Sequence, residues 1–266
     1  MNLTRSTQIS AMLTALLAPS VSAELTAEDV VNHCYYKDAG KDQRSELVAI
    51  LRSEDGTEKR YKFARLWKDY VGEGDLVDKV IIFTLRPLSS KDIAFMRWGY
   101  TIESKRKAEQ WVYLPETRMT RRLAKRDPEN GDWGLNDDEL RIRNIDEDIH
   151  TYLGVQTYEK KEFYVVESQP KSDPIYSKRV AWYYKTDSWD TCVEGRLDYY
   201  DKQGKLVKKQ FTKWDKIDDA WIWRSVVVKN AQTKSTVIYK MKDIEVNVGL
   251  DDSVFSKRTL ERGYRY

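Results

Sequence analysis

Hydrophobic side chains recur at every second position through most of the chain, which is the spacing of β-strands with one buried face. In the first half this pattern predicts strands over residues 45–53, 59–70, 79–86, 109–115 and 118–124. In the second half it predicts strands over residues 163–168, 178–185, 195–200, 206–214, 220–229 and 237–246. Turn signals such as Asp55-Gly56 separate neighbouring strands. We therefore expect about ten antiparallel strands joined by hairpins, as a sandwich or a curved, barrel-like sheet.

Three short segments depart from the strand spacing and are expected to be helical. Residues 25–36 begin with Thr26 and Asp29, which can form a capping box, and the apolar residues that follow share one helical face. Residues 146–153 and residues 253–260 are predicted to form two further short helices. The fold is therefore predicted to be mostly β with a few helices.

Residues 125–144 are predicted to form a long loop, because turn-forming residues interrupt the strand pattern there. Loops longer than about 12–15 residues are usually lids, binding loops or disordered segments. The loop carries an acidic cluster, Asp137, Asp138 and Glu139. Paired carboxylates can hydrolyse glycosidic bonds, but adjacent side chains rarely face one substrate, so a solvated loop tip is the preferred interpretation.

The first residues are predicted to be a cleavable secretory signal. Arg5 precedes a short apolar stretch over residues 9–18, and small residues lead to a cleavage site after Ala23. The alternatives are an uncleaved anchor or a buried amino-terminal helix. We expect a mature chain of residues 24–266, free in the periplasm and forming one domain, because neither a repeat nor a Pro/Gly linker divides it.

Composition limits the classes of partner. Charged residues make up 33% of the chain and the formal net charge is +3, which falls by one when the segment with Arg5 is removed. A near-balanced charge does not imply a nucleic-acid partner. Two cysteines, Cys34 and Cys192, remain in an oxidising compartment. They are expected either to form a disulfide or to be two buried thiols.

Recognisable catalytic machinery is missing from the sequence. The chain has two histidines, His33 and His150, and the spacing of Asp146, Asp148 and His150 does not favour a metal site. The sequence lacks a nucleophile elbow, a P-loop and a dinucleotide fingerprint. We therefore predict a protein that is not an enzyme and that uses no cofactor.

Ten short segments, taken in order, resemble a known family. They are residues 94–100 (Ala-Phe-Met-Arg-Trp-Gly-Tyr), 111–115, 118–122, 135–140, 176–180, 199–201, 204–208, 246–250, 254–255 and 260–263. Together they resemble the outer membrane lipoprotein-sorting proteins, which are LolA-like periplasmic carriers of lipids and lipoproteins. The resemblance covers nearly all of the mature chain. It implies a half-barrel sheet wrapped around a helical lid, with an apolar cavity for acyl chains and an inner-membrane exporter of the resistance-nodulation-division (RND) type as partner.

Candidate cavity residues come from the aromatic and aliphatic positions of the predicted strands. They are Phe63, Trp67, Ile82, Trp111, Tyr113, Trp182, Tyr184 and Trp223. A packed core explains most of these positions, but a sheet that closes over a single helix has more inward apolar area than that helix covers. The remainder would form a pocket for hydrocarbon, gated by the 125–144 loop.

A basic cluster completes the candidate site. Arg118, Arg121 and Arg122 either bind anionic head groups or are exposed side chains of an edge strand, and exposure is the preferred interpretation. The predicted function is a monomeric carrier of a lipid or an acylated lipoprotein, with transient contact to the membrane surface. The alternatives are a sensor module of the same fold and, less favoured, a glycan-active enzyme.

Overall fold

The computed structural model describes residues 24–70, 73–101, 103–123, 135, 139, 143–173 and 175–265. Within these residues, thirteen antiparallel strands pair into one sheet. The strands are β1 (Asp42–Arg52), β2 (Glu58–Asp69), β3 (Leu76–Arg86), β4 (Ala94–Tyr100), β5 (Glu109–Leu114), β6 (Met119–Arg122), β7 (Asp148–Tyr158), β8 (Lys161–Pro170), β9 (Tyr176–Tyr184), β10 (Glu194–Asp201), β11 (Leu206–Ile217), β12 (Ala220–Asn230) and β13 (Thr236–Val246). The α-helices that the structure describes along their whole length are α1 (Ala27–Cys34) and α2 (Lys257–Arg262). The mostly-β prediction is therefore confirmed.

The chain enters the sheet at its middle. The spatial order is β6-β5-β4-β3-β2-β1-β13-β12-β11-β10-β9-β8-β7. From β1 the chain runs outward to the edge strand β6, crosses to the opposite edge at β7, and returns inward to β13. The sheet therefore has a first arm, β1–β6, and a second arm, β7–β13. They join where β1 pairs with β13, with Leu47 opposite Met241.

The two helices pack on opposite faces of the curled sheet. Val30, Val31 and Cys34 of α1 pack with side chains of β8 and β9, including Val166 and Ala181. Strand register places these on the face that carries Leu47 and Phe63, which we call the inner face. At the centre of the sheet its side chains are buried, although no described helix packs there.

The opposite, outer face is covered in the first arm by the carboxyl-terminal segment. Val254, Phe255 and Leu260 pack on buried side chains of β2–β5, including Leu66 and Ile81. These residues contribute the largest described hydrophobic cluster, and burying each such side chain stabilises the fold by roughly 1.5–3 kcal/mol. Among the described residues, no helix is long and apolar enough to cross a membrane.

Asp42 directs the carboxyl-terminal segment over the outer face. Its buried carboxylate accepts hydrogen bonds from the backbone N–H groups of Val248, Gly249 and Leu250 at 2.7, 3.1 and 2.9 Å. Three donors on one carboxylate fix the chain at the end of β13. The beginning of β1 therefore positions α2.

A disulfide joins Cys34 of α1 to Cys192, which lies between β9 and β10. The Cα atoms are 4.9 Å apart and the residues are separated by 158 positions. The sequence was compatible with either a disulfide or two buried free thiols, and in the structure the two cysteines form a disulfide. It fastens α1 to the second arm.

The predicted helix over residues 146–153 is wrong. This segment is a short 3-10 turn followed by β7, whose side chains alternate between the inner and outer faces. Gly154, which appeared to stop a helix, has a φ of 85° within a bulge where the β7–β8 register shifts. Glycine tolerates that backbone geometry, so it signals a bulge here.

Two further expectations need correction. The strand count is thirteen because β4 was missed as well as β7; β4 is buried on both faces and lacks the alternation of a half-buried strand. The predicted final helix over residues 253–260 is a 3-10 turn followed by α2, which Ser256 caps by accepting a hydrogen bond from the N–H of Thr259. The predicted signal segment lies outside the described residues.

Removing the disulfide should destabilise the protein, because the bond closes a very long loop in the unfolded chain. The double variant Cys34→Ser/Cys192→Ser is expected to lose about 5 kcal/mol in free energy of unfolding. Urea unfolding of the oxidised wild type and of the variant measures this difference. Reductant should destabilise the wild type and leave the variant unchanged; a difference below about 1 kcal/mol would contradict the prediction.

Candidate functional site on the inner face

The middle of the inner face is apolar. Six buried side chains from both arms form what we call the apolar centre: Leu47, Ala49, Phe63, Ala220, Ile222 and Met241. Tyr61, Ile82, Trp223 and Tyr239 are among the partly buried side chains packed against it. Three of the predicted cavity residues, Phe63, Ile82 and Trp223, therefore lie together.

Polar and charged side chains flank the apolar centre on the first arm. Arg65, Arg97 and Gln110 follow in successive rows across β2, β4 and β5, and each is at least nine-tenths buried. Arg97 donates through Nη1 to Oδ1 of Asp78 at 2.7 Å. Arg65 donates through Nη1 to Oε1 of Gln43 at 2.9 Å. Buried charge is costly unless it is paired and hydrogen-bonded, so this zone is unlike a simple hydrocarbon pocket.

A second polar zone lies on the inner face of the second arm. Lys208 and Arg179 are both buried there, and Arg179 pairs with Asp173 at 2.5 Å. Lys208 forms an ion pair with Glu139 at 2.5 Å. Burial lowers the pKa of the Lys208 ammonium, while the Glu139 carboxylate opposes that shift.

Glu139 is the described acidic residue of the predicted lid loop. Its side chain is fully buried, and its carboxylate also accepts a hydrogen bond from the Tyr176 hydroxyl. Burial raises the pKa of Tyr176, so the hydroxyl stays protonated and donates. The expected solvated loop tip is therefore wrong for Glu139, while Asp137 and Asp138 lie outside the described residues.

The other predicted cavity residues do not form one lining. Trp67 lies on the inner face and donates through Nε1 to Asp78 at 3.2 Å. Trp111 and Tyr113 belong to the outer-face cluster under the carboxyl-terminal segment. Trp182 and Tyr184 pack on the outer face of β9. Periodicity alone grouped residues from both faces, because it identifies alternation but not which face is inside.

A cavity of about 430 Å³ lies on the outer face, between the first arm and the carboxyl-terminal segment. Its apolar wall is formed by Met96, Trp98, Trp111 and Phe255. Lys79, Asp252, Ser256 and Lys257 complete the lining. Trp111 therefore lines a cavity, but that cavity lies on the opposite face of the sheet from Phe63.

The three candidate head-group arginines are exposed. Arg118 has a φ of 53° in the turn before β6. Arg121 and Arg122 lie on edge strand β6, on opposite faces, and Arg122 pairs with Glu109 at 3.1 Å.

Both histidines make ordinary structural contacts. His150 contacts the Ser168 hydroxyl at 2.8 Å and the Ile145 carbonyl at 2.9 Å. His33 stacks on Trp189 with ring centroids 4.8 Å apart. In the part of the chain that the structure describes, no three potential ligands form a metal cluster.

Solved structures define the class of this fold. A putative outer membrane lipoprotein-sorting protein domain from Vibrio parahaemolyticus aligns at a TM-score of 0.73 and 21% identity, covering 89% of this chain and 97% of that chain. A LolA superfamily protein from Nitrosomonas europaea aligns at a TM-score of 0.63 and 16% identity, covering 89% and 100%. The chain therefore has the LolA-like fold that the resemblance implied.

One further solved structure and a family model relate this chain to proteins of similar sequence. A DUF1329 family protein from Desulfovibrio piger aligns at a TM-score of 0.75 and 25% identity, covering 88% of this chain and 97% of that chain. A family model with the description "Uncharacterized protein" matches residues 77–262, which is more than half of the chain. The chain belongs to the family that this model describes. No curated protein matches the chain.

The buried ion pair of Glu139 should be energetically coupled. Glu139→Gln leaves the Lys208 ammonium buried opposite a neutral group and is expected to cost about 3–5 kcal/mol in free energy of unfolding. Adding Lys208→Gln should restore part of that loss. Urea unfolding of both single variants and the double variant measures the coupling. The exposed pair Lys185–Glu162 is the control, with expected coupling below about 1 kcal/mol; additive losses at Glu139 and Lys208 would contradict the prediction.

Glu194 should make stability depend on pH. Burial raises the pKa of its carboxyl group to about 7 from an ordinary value of 4.5. The folded state then holds a proton that the unfolded state releases, so stability falls as pH rises between these values, by up to about 3 kcal/mol. Urea unfolding at both ends of this range should show that loss in the wild type. Glu194→Gln should abolish this part of the pH dependence, and an unchanged dependence would contradict the assignment.

Proposed function

We propose that the mature protein is a periplasmic carrier that shields the acyl chains of a lipid or lipoprotein on the inner face of the sheet. One observation carries the proposal: the apolar centre is contributed by both arms, and no described helix packs against it. The LolA-like fold supports the same function, because a solved relative with this fold is named for lipoprotein sorting.

Burial of hydrocarbon supplies enough free energy for carriage without a covalent step. Each buried CH₂ group contributes about 0.8 kcal/mol. An acyl chain of roughly sixteen carbons would gain on the order of 10 kcal/mol before the costs of ordering. Loading, burial and release to a stronger acceptor then need only a surface that can be covered and uncovered.

Contact with membranes and with a membrane partner is part of the proposal. Edge strand β7 exposes apolar side chains on both sides of its bulge: Ile149 and Leu153 on the outer face are exposed by 60% and 42%, and Val155, opposite Tyr164 on the inner face, is exposed by 43%. An exposed apolar edge of this kind suits transient contact with a membrane surface or a transporter. We propose that the protein works as a monomer with an inner-membrane exporter of the RND type.

Binding of acyl probes tests the carrier function and its location. Protein purified from its native host is extracted for lipid analysis, and the delipidated protein is titrated with a fluorescent fatty acid. Ile82→Asn, at the edge of the apolar centre, should weaken binding about tenfold, which corresponds to about 1.4 kcal/mol. The matched control is Ile238→Asn, a partly buried isoleucine on the outer face of β13, which should bind like the wild type.

Two results would contradict the proposal. The absence of both co-purified lipid and probe binding would reject the carrier function. Loss of binding in Lys257→Phe, which narrows the outer cavity, with normal binding in Ile82→Asn, would place the cargo on the outer face instead.

A further inference from the structure

We infer that Arg65 and Arg97 form a buried receptor on the inner face for the monoanionic oxyanion head of the cargo, a carboxylate or a phosphodiester. The inference rests on the proposed function, because the head group is placed beside the apolar centre that would hold the acyl chain. It assigns the head group to the interior of the first arm rather than to the exposed arginines of β6.

Arg65 is a buried cation that has no carboxylate partner among the described residues. It is 9% exposed, and among the described residues its one hydrogen-bond partner is the neutral side chain of Gln43. Its guanidinium also lies 5.9 Å from the centre of the Trp67 ring. Burial lowers its pKa to about 10, although the charge of Asp78 opposes that shift. Arg65 therefore stays charged at neutral pH, without a paired carboxylate in the described part of the chain.

Arg97 has unused hydrogen-bonding capacity on the same face. Its side chain is 6% exposed and pairs through Nη1 with Asp78, but its buried Nε–H has no partner among the described residues. The second oxygen of Asp78 is already occupied by the indole N–H of Trp67. A buried N–H without a partner destabilises the structure, and an oxygen of an incoming oxyanion could accept its hydrogen bond.

Strand register brings the two arginines to one zone. Arg65 lies opposite Ile82, and Arg97 lies opposite Val80 on the next pair of strands. Gly99 makes room for the cluster, since a Cβ at that position would lie 2.2 Å from Oδ1 of Asp78 and 3.0 Å from Nη1 of Arg97. Asp78 pairs with Arg97 and not with Arg65, whose hydrogen-bond partner is neutral, so the charge of Arg65 is left to match a monoanionic head.

The receptor is continuous with the apolar centre. Phe63 and Arg65 point to the same face of β2, about 6.6 Å apart along the strand. Ile82 packs against the apolar centre and lies directly opposite Arg65. An amphiphile could therefore place its charged end at the guanidinium and its chain against Phe63 without turning.

Displacement of a fluorescent acyl probe tests the charge preference. Dodecanoate and dodecanol share one chain and differ in the head, and lysophosphatidylglycerol supplies a phosphodiester. We expect the wild type to bind dodecanoate and lysophosphatidylglycerol at least about tenfold more tightly than dodecanol. Arg65→Gln should lose this preference and still bind dodecanol within about twofold of the wild type. The matched control is Arg121→Gln, which removes an exposed arginine from the same face and should keep the preference.

Each contrary result has its own meaning. Equal binding of dodecanoate and dodecanol by the wild type would overturn the receptor and leave the carrier function intact. Absence of binding by all three amphiphiles would instead reject the carrier function. Acetate or inorganic phosphate binding as tightly as dodecanoate would overturn the head-group assignment in favour of a site for free anions.

Thermal unfolding separates a binding role for Arg65 from a structural one. Removing an uncompensated buried charge should leave the melting temperature of the delipidated protein unchanged or raise it. A fall of more than about 5 °C in Arg65→Gln would show that Arg65 supports the fold and would overturn the inference.

Discussion

The pairing of β1 with β13 is the interaction on which the rest of the structure depends. These strands come from opposite ends of the described chain, and their ladder runs from Gln43 to Arg52. It makes one sheet from two arms and brings Leu47 beside Met241 in the apolar centre. The same junction places Asp42 where it captures the chain after β13. Without this ladder, neither the apolar centre nor the cover of the outer face would form.

The inner face combines two environments that are usually kept apart. Its middle is as apolar as a protein core, while Arg65, Arg97, Arg179 and Lys208 are buried on either side of it. The buried cations of the second arm are paired with the carboxylates of Asp173 and Glu139, whereas Arg65 of the first arm is not paired with one in the described residues. The two ends of the inner face therefore differ in charge. An amphiphilic cargo would therefore be bound in a preferred orientation.

Sequence patterns predicted the fold class and most strands, because apolar and polar residues alternate along a strand that is buried on one face. They did not predict β4, which is buried on both faces. They predicted a helix in place of β7, because acidic residues at its beginning and Gly154 are also typical of the start and the end of a helix. The candidate site was predicted less well. Phe63 and Ile82 share the inner face, but Trp111 and Trp182 lie on the other one, because strand pairing decides which face is inward. The buried arginines were missed because a single arginine within a strand carries no periodic signal.

The chain path has a consequence for how the protein is made. Each arm is a meander of neighbouring hairpins and can pair locally as it emerges, but β1 cannot complete its pairing until β13, at the end of the second arm, has been made. Contacts between distant parts of a chain form slowly. Until then, β1 is an unpaired edge with exposed apolar side chains, open to association with other chains. A protein of this topology therefore passes through a stage of folding in which the first arm has formed while β1 still lacks its second partner strand.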